Sequence, residues 1–361
     1  MTAFIVAACR SPVAPRGGGF SHLTLHELAT PVLRAALAQA GLAANDVDEV
    51  IVSNALGAGG NPARIISLAA GLPERIAGLS IDRQCAGGMD AVLLARQMIL
   101  SGDADVVIAG GVESYSRRPV RMRTFTDGRQ PEAYDQAPFT PWPTRDPDMA
   151  EAANVLAQTQ GITREAQDDW AVHSHAKALA FKHSPAELIP VVGLSTDAFT
   201  RQLSPALCRR AAIVVGDITS ANAAVAADAA AFCIVVSSRI AAKLQANKVE
   251  IIAGATVGGA PDCPGLAPVA AIEKVLAQTG MRTIDLTAIE IMEAYAVQAI
   301  ACVHGSGLDP KRVNLGGGAL ARGHPIGASG TINVVRLFHA LTITGGTGLA
   351  AIAAAGGIGS A

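Results

Sequence analysis

Cys85 stands in the segment Ile81-Asp-Arg-Gln-Cys-Ala-Gly-Gly-Met89, which places one thiol between a predicted strand and a glycine-opened helix. Apolar residues recur at helical spacing from Met89 to Leu100, so the sequence predicts a helix that begins just after the cysteine. Unpaired backbone N–H groups and the helix dipole at such an N-terminus favour the thiolate and lower the pKa of a cysteine. The position is typical of a nucleophile, although burial as a small apolar side chain is the commonest fate of free cysteine.

A histidine, His324, occupies a glycine-rich turn in the segment 316–330, which leads into a second predicted helix from Ala328 to about Leu341. The eight residues from Gly323, Gly-His-Pro-Ile-Gly-Ala-Ser-Gly, together with the cysteine segment resemble the signatures of the thiolase family. Further matches to that family are Ala8-Cys-Arg-Ser-Pro12, Asn61-Pro-Ala-Arg64, Ala109-Gly-Gly-Val-Glu-Ser114 and Gly161-Ile-Thr-Arg-Glu-Ala-Gln-Asp168. The resemblance therefore covers nearly the whole chain.

The resemblance implies a two-step acyl transfer. Cys85 would attack an acyl thioester, with His324 as its base. Backbone N–H groups of Cys85 and Ala355 would hold the developing oxyanion, and a backbone donor does not depend on side-chain identity. Coenzyme A enters as the thioester substrate or the free acceptor, and no bound cofactor is implied.

Two positions depart from the family pattern. A second cysteine that moves a proton at the substrate α-carbon is replaced here by Ala353, and an alanine cannot move a proton. The family's Asn or His that helps to polarise the thioester oxygen is replaced by Met292, which has only a weakly accepting thioether. Cys263, in a loop that lines the pocket in relatives, is a candidate substitute for the missing thiol. We therefore expect the carbon–carbon (Claisen) step to be weak or altered.

The segment 117–216 is richer in proline and charge than its surroundings and is interpreted as an inserted loop domain. It contains a predicted helix from Arg164 to about Phe181. In the family this insertion covers the pantetheine arm of coenzyme A. Met149 aligns with a family methionine near that arm, so we predict it as a substrate-binding residue.

The composition excludes several partners. Although 50% of the residues are hydrophobic, no apolar run reaches the roughly 20 residues that span a bilayer. A formal net charge of −2 and 4% aromatic residues argue against nucleic acid. The six cysteines lack metal-ligand spacing, and Met1 to Ala8 lacks the basic leader of a signal peptide. We expect a cytoplasmic protein with no metal, membrane or nucleic-acid partner.

The same order of helices and strands occurs twice along the chain, and this repeat predicts the fold class. A helix from Leu25 leads to a strand at Val50, and a helix from Val269 leads to a strand at Ile289. The Cys85 helix and the His324 helix are likewise each followed by an apolar strand. We predict an α/β protein of two pseudo-twofold-related halves, residues 1–116 (completed by about 217–245) and 246–361. The family resemblance implies five layers, α-β-α-β-α, for this thiolase fold.

Three functions remain open on the sequence. The first is an acyltransferase that passes the acyl group from Cys85 to coenzyme A or another acceptor. The second is a thioester hydrolase that passes it to water, and the third is a degenerate, non-catalytic subunit.

The apolar segment Ile51-Val-Ser-Asn-Ala-Leu56 offers a sheet edge, and the family buries such an edge in a twofold dimer, so we expect a homodimer or homotetramer.

Overall fold

The computed structural model describes residues 1–57 and 59–361. Its helices are α1 (Leu25–Ala40), α2 (Pro62–Ala69), α3 (Gly87–Ser101), α4 (Met149–Gln160), α5 (Arg164–Ala180), α6 (Pro205–Arg209), α7 (Ser238–Ala241), α8 (Ala267–Thr279), α9 (Ala296–Gly305), α10 (Ala319–Arg322) and α11 (Ile326–Thr344). The helices predicted from Met89, Val269 and Ala328 are confirmed, and each begins two residues earlier than predicted.

Most strands form two sheets. The strands are β1 (Ala3–Arg10), β2 (Ala14–Pro15), β3 (Glu49–Ser53), β4 (Leu79–Ile81), β5 (Val106–Glu113), β6 (Arg121–Arg123), β7 (Glu132–Tyr134), β8 (Ile213–Val215), β9 (Ile218–Thr219), β10 (Ala227–Ser237), β11 (Val249–Glu250), β12 (Thr256–Gly258), β13 (Leu286–Ile291), β14 (Thr347–Ala354) and β15 (Ile358–Ser360). The first sheet has the order β11-β1-β10-β5-β3-β4, with β2 beside β10, and the second has the order β12-β15-β14-β13.

The predicted repeat is present in both sheets. β3 pairs in parallel with β5, and β13 pairs in parallel with β14. In each case a helix precedes the first strand of the pair and another precedes the second: α1 and α3 in the first half, α8 and α11 in the second. β10, which follows the segment 117–216, lies between β1 and β5 and so completes the first sheet. The domain limits themselves stay a prediction.

The side chains on alternate faces of the strands build the layers. In the first sheet, Val50 and Val52 pack on one face with α1 and α2, whereas Ile51 packs on the other face with α3 and α11. In the second sheet, Leu349 packs with α8 and α9, whereas Ala350 faces α3 and α11. The predicted α-β-α-β-α order is therefore confirmed, with α3 and α11 in the central layer.

Glycines allow α3 and α11 to approach closely in that layer. A Cβ on Gly88 would lie 2.6 Å from Thr331 Oγ1 and 2.8 Å from the Gly327 carbonyl oxygen, which is too close for carbon. The hydroxyl of Thr331 donates to the Gly88 carbonyl at 2.9 Å. This contact brings together the N-terminal ends of the two helices that follow Cys85 and His324.

The predicted sheet edge was misplaced. β3, which contains Ile51, lies between β5 and β4, so it is an interior strand. The edge of the first sheet on this side is the short strand β4, whose Leu79 is 44% exposed; β11 forms the opposite edge. The local sequence predicted a strand correctly, but strand order depends on contacts that are distant in sequence.

By length and composition, α11 is the one described helix that could cross a membrane. Its position between the two sheets accounts for its apolar character.

Candidate active site

Cys85 lies in a single 3-10 turn, Gln84–Ala86, between β4 and α3. Gln84 has φ of 52°, a left-handed conformation that is uncommon for a residue with a side chain. The backbone N–H of Gln84 donates to Asp82 Oδ1 at 2.8 Å, which helps to hold the turn. The half-buried Cys85 lines a cavity of about 490 Å³.

His324 reaches the same cavity from the turn before α11. Its Nε2 lies 3.1 Å from Cys85 Sγ, although the two residues are 239 positions apart in sequence. On the other side of the ring, Nδ1 lies 2.7 Å from the Ser329 hydroxyl. That hydroxyl also lies 2.9 Å from the Pro325 carbonyl oxygen, to which it can donate while it accepts from Nδ1. In that arrangement Nδ1 carries the ring proton and the lone pair of Nε2 faces the thiol, as a general base requires.

Both members of this pair are neutral at rest. Burial raises the pKa of the Cys85 thiol to about 12, and the Glu113 and Asp82 carboxylates act in the same direction, against a smaller lowering by the cysteine's own backbone N–H. Burial also lowers the pKa of His324 to about 4. The prediction that the helix N-terminus lowers the pKa of Cys85 is wrong, because desolvation of the thiolate outweighs the lowering by the backbone N–H. Proton transfer must therefore accompany attack by the sulfur.

The turn between β14 and β15 forms part of the cavity wall. Ala355 lies in this turn and lines the cavity with Cys85, as the predicted pair of oxyanion donors requires. Ala353 also lines the cavity, so the replaced acid–base position faces the space where a substrate would lie. Met149 lines it from the start of α4. The functional roles of these residues stay predictions.

Met292 and Cys263 are placed differently from the other predicted residues. Met292 is only 1% exposed and packs against Ala86, Met89 and Ala350 behind the cavity wall. Cys263 packs in a separate apolar cluster with α4 and α9, and burial raises its pKa. Among the described residues, Pro264 and Gly265 line the cavity but Cys263 does not. Cys263 therefore lies beside the cavity wall, in the same cluster as the lining residues Leu156 and Tyr295.

Two tyrosine side chains in the cavity wall were not predicted from the sequence as site residues. Tyr115 and Tyr295 both line the cavity. Burial raises the pKa of each phenol, and the charge of a Cys85 thiolate acts in the same direction on both. They remain neutral donors at physiological pH. Tyr115 directly follows the segment 109–114, which we used only for the family resemblance, and Tyr295 lies three residues after Met292.

A buried carboxylate, Glu113, supports the turn before α11. It accepts hydrogen bonds from the backbone N–H of Gly327 at 3.0 Å, from Ala55 at 3.0 Å and from the Asn54 amide at 2.8 Å. Burial raises the pKa of Glu113 to about 7. This carboxylate ties the loop after β3 to the start of the helix that carries Ser329, and it therefore helps to fix the position of His324.

A second buried carboxylate, Glu293, supports the other side of the site. It accepts from Trp170 Nε1 at 3.0 Å, Ser174 Oγ at 2.7 Å and Asn314 Nδ2 at 2.7 Å. The first two donors belong to α5, so this carboxylate attaches the inserted segment to the second half. The described residues contain no group of three or more His, Cys, Asp or Glu side chains suited to a metal ion.

Comparison with known proteins identifies the family. Two family models match the chain: Thiolase, N-terminal domain, over residues 3–239 and Thiolase, C-terminal domain, over residues 245–361. The chain is 36% identical to the acetyl-CoA acetyltransferase of Cupriavidus necator, with 99% of this chain and 97% of that protein covered.

Two solved structures are similar over the same length. The Bacillus anthracis acetyl-CoA acetyltransferase superposes with a TM-score of 0.91 at 31% identity, covering 99% of this chain and 97% of that one. Human mitochondrial 3-ketoacyl-CoA thiolase also has a TM-score of 0.91, at 28% identity and the same coverage. The chain therefore belongs to the thiolase family.

Proposed function

We propose that this protein is an acyl-CoA acyltransferase that works through an acyl-Cys85 intermediate. The observation that carries the proposal is the 3.1 Å contact between Cys85 Sγ and His324 Nε2. The names of the relatives support a coenzyme A thioester as the substrate. Coenzyme A is then a reactant and not a bound cofactor.

Acylation would proceed by a balanced exchange of thioesters. Cys85 Sγ attacks the carbonyl carbon while its proton moves to His324 Nε2, and the oxygen gains negative charge facing the N–H groups of Cys85 and Ala355. Collapse of the tetrahedral species breaks the bond to the coenzyme A sulfur. His324 returns the proton to that leaving thiolate, so the products are acyl-Cys85, free coenzyme A and a neutral imidazole.

The second step is where this chain differs from its relatives. Carbon–carbon bond formation needs a base at the α-carbon, and loss of a positioned acid or base costs about 10²–10⁴ in rate. Ala353 supplies no such group, and the Tyr115 and Tyr295 phenols, with their raised pKa values, are hydrogen-bond donors but poor bases. We therefore propose that transfer of the acyl group to a thiol or another simple acceptor is faster here than Claisen condensation.

Two alternatives make different use of the same site. A hydrolase would release the acyl group to water, and a non-catalytic subunit would keep the fold without turnover. Ala353 and Met292 favour the non-catalytic alternative. The contact between Ser329 and His324 Nδ1 argues against it, because a hydroxyl that accepts the Nδ1 proton leaves Nε2 free to accept a proton from the thiol.

We also propose a homodimer or homotetramer working in lipid metabolism in the cytoplasm. The edge strand β4 and the neighbouring α2 support the assembly, because Leu79, Ile65 and Leu68 are all exposed there. Their exposed apolar surface adjoins the turn that contains Cys85.

Intact-mass spectrometry tests the proposed function. The protein is incubated with acetyl-CoA, and the adduct is then chased with coenzyme A or with buffer alone. Loss of the acetyl group only when coenzyme A is added supports the transferase. Equally fast loss in buffer would indicate a hydrolase, and absence of any adduct with acetyl-CoA or with longer acyl-CoAs would indicate a non-catalytic protein.

A further inference from the structure

A second cavity, of about 460 Å³, adjoins the one that contains Cys85. The two share Tyr115, Arg118 and Arg121 in their walls. Arg16 also lines the second cavity, and Asp135 is the one carboxylate among its described lining residues. The second cavity thus has three guanidinium groups and one carboxylate in its wall, an excess of positive charge, whereas Asp82 and Asp148 line only the first cavity.

The three guanidinium groups use few of their hydrogen-bond donors. Arg118 donates to Asp135 at 2.9 Å, and Arg121 donates to the Ala55 carbonyl at 2.9 Å. No side-chain hydrogen bond of Arg16 occurs within the described residues. Each guanidinium has five N–H donors, so most remain available to a ligand.

The existing ion pair is too exposed to neutralise this charge. The Asp135 side chain is 87% exposed, whereas that of Arg118 is 21% exposed. Water competes for an exposed carboxylate, and such pairs contribute little. The Arg118 guanidinium is therefore held in a cavity wall with a weak partner, near two other cations.

We propose that Arg16, Arg118 and Arg121 form a subsite that binds an anionic group of the thioester substrate. This inference rests on the proposed function, since the subsite adjoins the cavity where Cys85 would be acylated. Paired guanidinium N–H groups fit the oxygens of a phosphate or a carboxylate equally well. The anion is either a phosphate of coenzyme A or a carboxylate at the far end of the acyl chain.

Binding measured without turnover distinguishes the two sources. Isothermal titration calorimetry is done in a Cys85→Ala background with three probes: acetoacetyl-CoA, a 3-oxoacyl-CoA whose chain ends in a carboxylate, and acetoacetyl-pantetheine, which has neither anion. Arg118→Gln and Arg121→Gln should each raise the Kd about tenfold for probes that place an anion in the subsite. If the arginine variants bind both coenzyme A thioesters more weakly, the subsite binds a phosphate of coenzyme A. If they bind only the carboxylated probe more weakly, the subsite binds the carboxylate of the acyl chain.

Two further variants separate charge from structure. Arg123→Gln, on the same strand as Arg121 but outside both cavities, should bind every probe as the parent does. Asp135→Asn removes the competing carboxylate and should tighten binding of the anionic probes by roughly threefold. This exposed change does not threaten folding.

The inference is overturned if the Arg118 and Arg121 variants bind the anionic probes as tightly as Arg123→Gln does. It is also overturned if acetoacetyl-pantetheine is weakened equally, since that would show a structural role, or if Asp135→Asn weakens the anionic probes. Acylation of Cys85 in the otherwise unchanged protein is measured separately. Its absence would reject the proposed function, whereas normal acylation with unchanged binding constants would reject only the subsite.

Discussion

The Ser329 hydroxyl lies 2.7 Å from His324 Nδ1 and 2.9 Å from the Pro325 carbonyl oxygen, so it can accept the Nδ1 proton while it donates to that carbonyl. Ser329→Ala should remove this control of the tautomer and slow acylation of Cys85 about tenfold, the effect of one net hydrogen bond. Rates of adduct formation from acetyl-CoA measure this. Ser329→Thr keeps the hydroxyl and should retain most of the rate. If the alanine variant acylates as fast as the threonine variant, Ser329 is not a positioning residue.

The neutral thiol predicts a particular pH dependence for alkylation. Because the pKa of Cys85 is raised to about 12, its thiolate fraction should rise about tenfold for each pH unit across the neutral range. Iodoacetamide labelling of Cys85, followed by peptide mapping from pH 6 to 9, should therefore accelerate steadily. A rate that is already level at pH 6 would reveal a preformed thiolate–imidazolium pair and would contradict the neutral ground state.

The local structure could be predicted better than the site. Apolar spacing predicted α3 to within two residues of its start, because an amphipathic helix can be recognised from its own sequence. Cys85 and His324 could be paired only through the family motifs, since residues so far apart have no local signal. The direction of the Cys85 pKa shift was wrong because the local turn indicates a helix N-terminus but not the burial caused by distant elements. The cavity positions of Tyr115 and Tyr295 likewise depend on the packing of both halves.

Restoring the acid–base group should restore the missing chemistry. Ala353→Cys places a thiol in the cavity wall and should raise acetoacetyl-CoA thiolysis by at least about a hundredfold, the lower value for a positioned acid or base. Acylation of Cys85 should stay similar. Ala353→Ser is the matched control, since it is nearly the same size but lacks the acidic thiol.

Ordinary thiolase rates in the unmodified protein would contradict this view of Ala353.

Adding Met292→Asn tests the second departure from the family pattern, but the structure predicts that this change lowers the stability of the protein. Met292 is buried in an apolar cluster, so an amide there should destabilise the protein by about 1–3 kcal/mol. Thermal unfolding of the single and double variants measures that cost separately from the change in activity.

The exposed edge predicts assembly through the first sheet. Light scattering at micromolar concentration should show a dimer or tetramer. Leu79→Lys on β4 should shift the equilibrium toward monomer, because a charge on an edge strand opposes strand pairing between subunits. Met122→Lys, also at an exposed apolar side chain but on the separate β6–β7 hairpin, is the control. A monomeric unmodified protein would refute the assembly.

The most direct test of the account is the rate at which acetyl-CoA acylates Cys85 in the unmodified protein and in His324→Ala. Because the resting thiol is neutral, loss of the base should slow adduct formation by about 10²–10⁴, and added imidazole should restore part of the rate. Peptide mapping should place the acetyl group on Cys85, and Cys85→Ala should form no adduct. Equal rates with and without His324, or an adduct that persists in Cys85→Ala, would contradict the proposed mechanism.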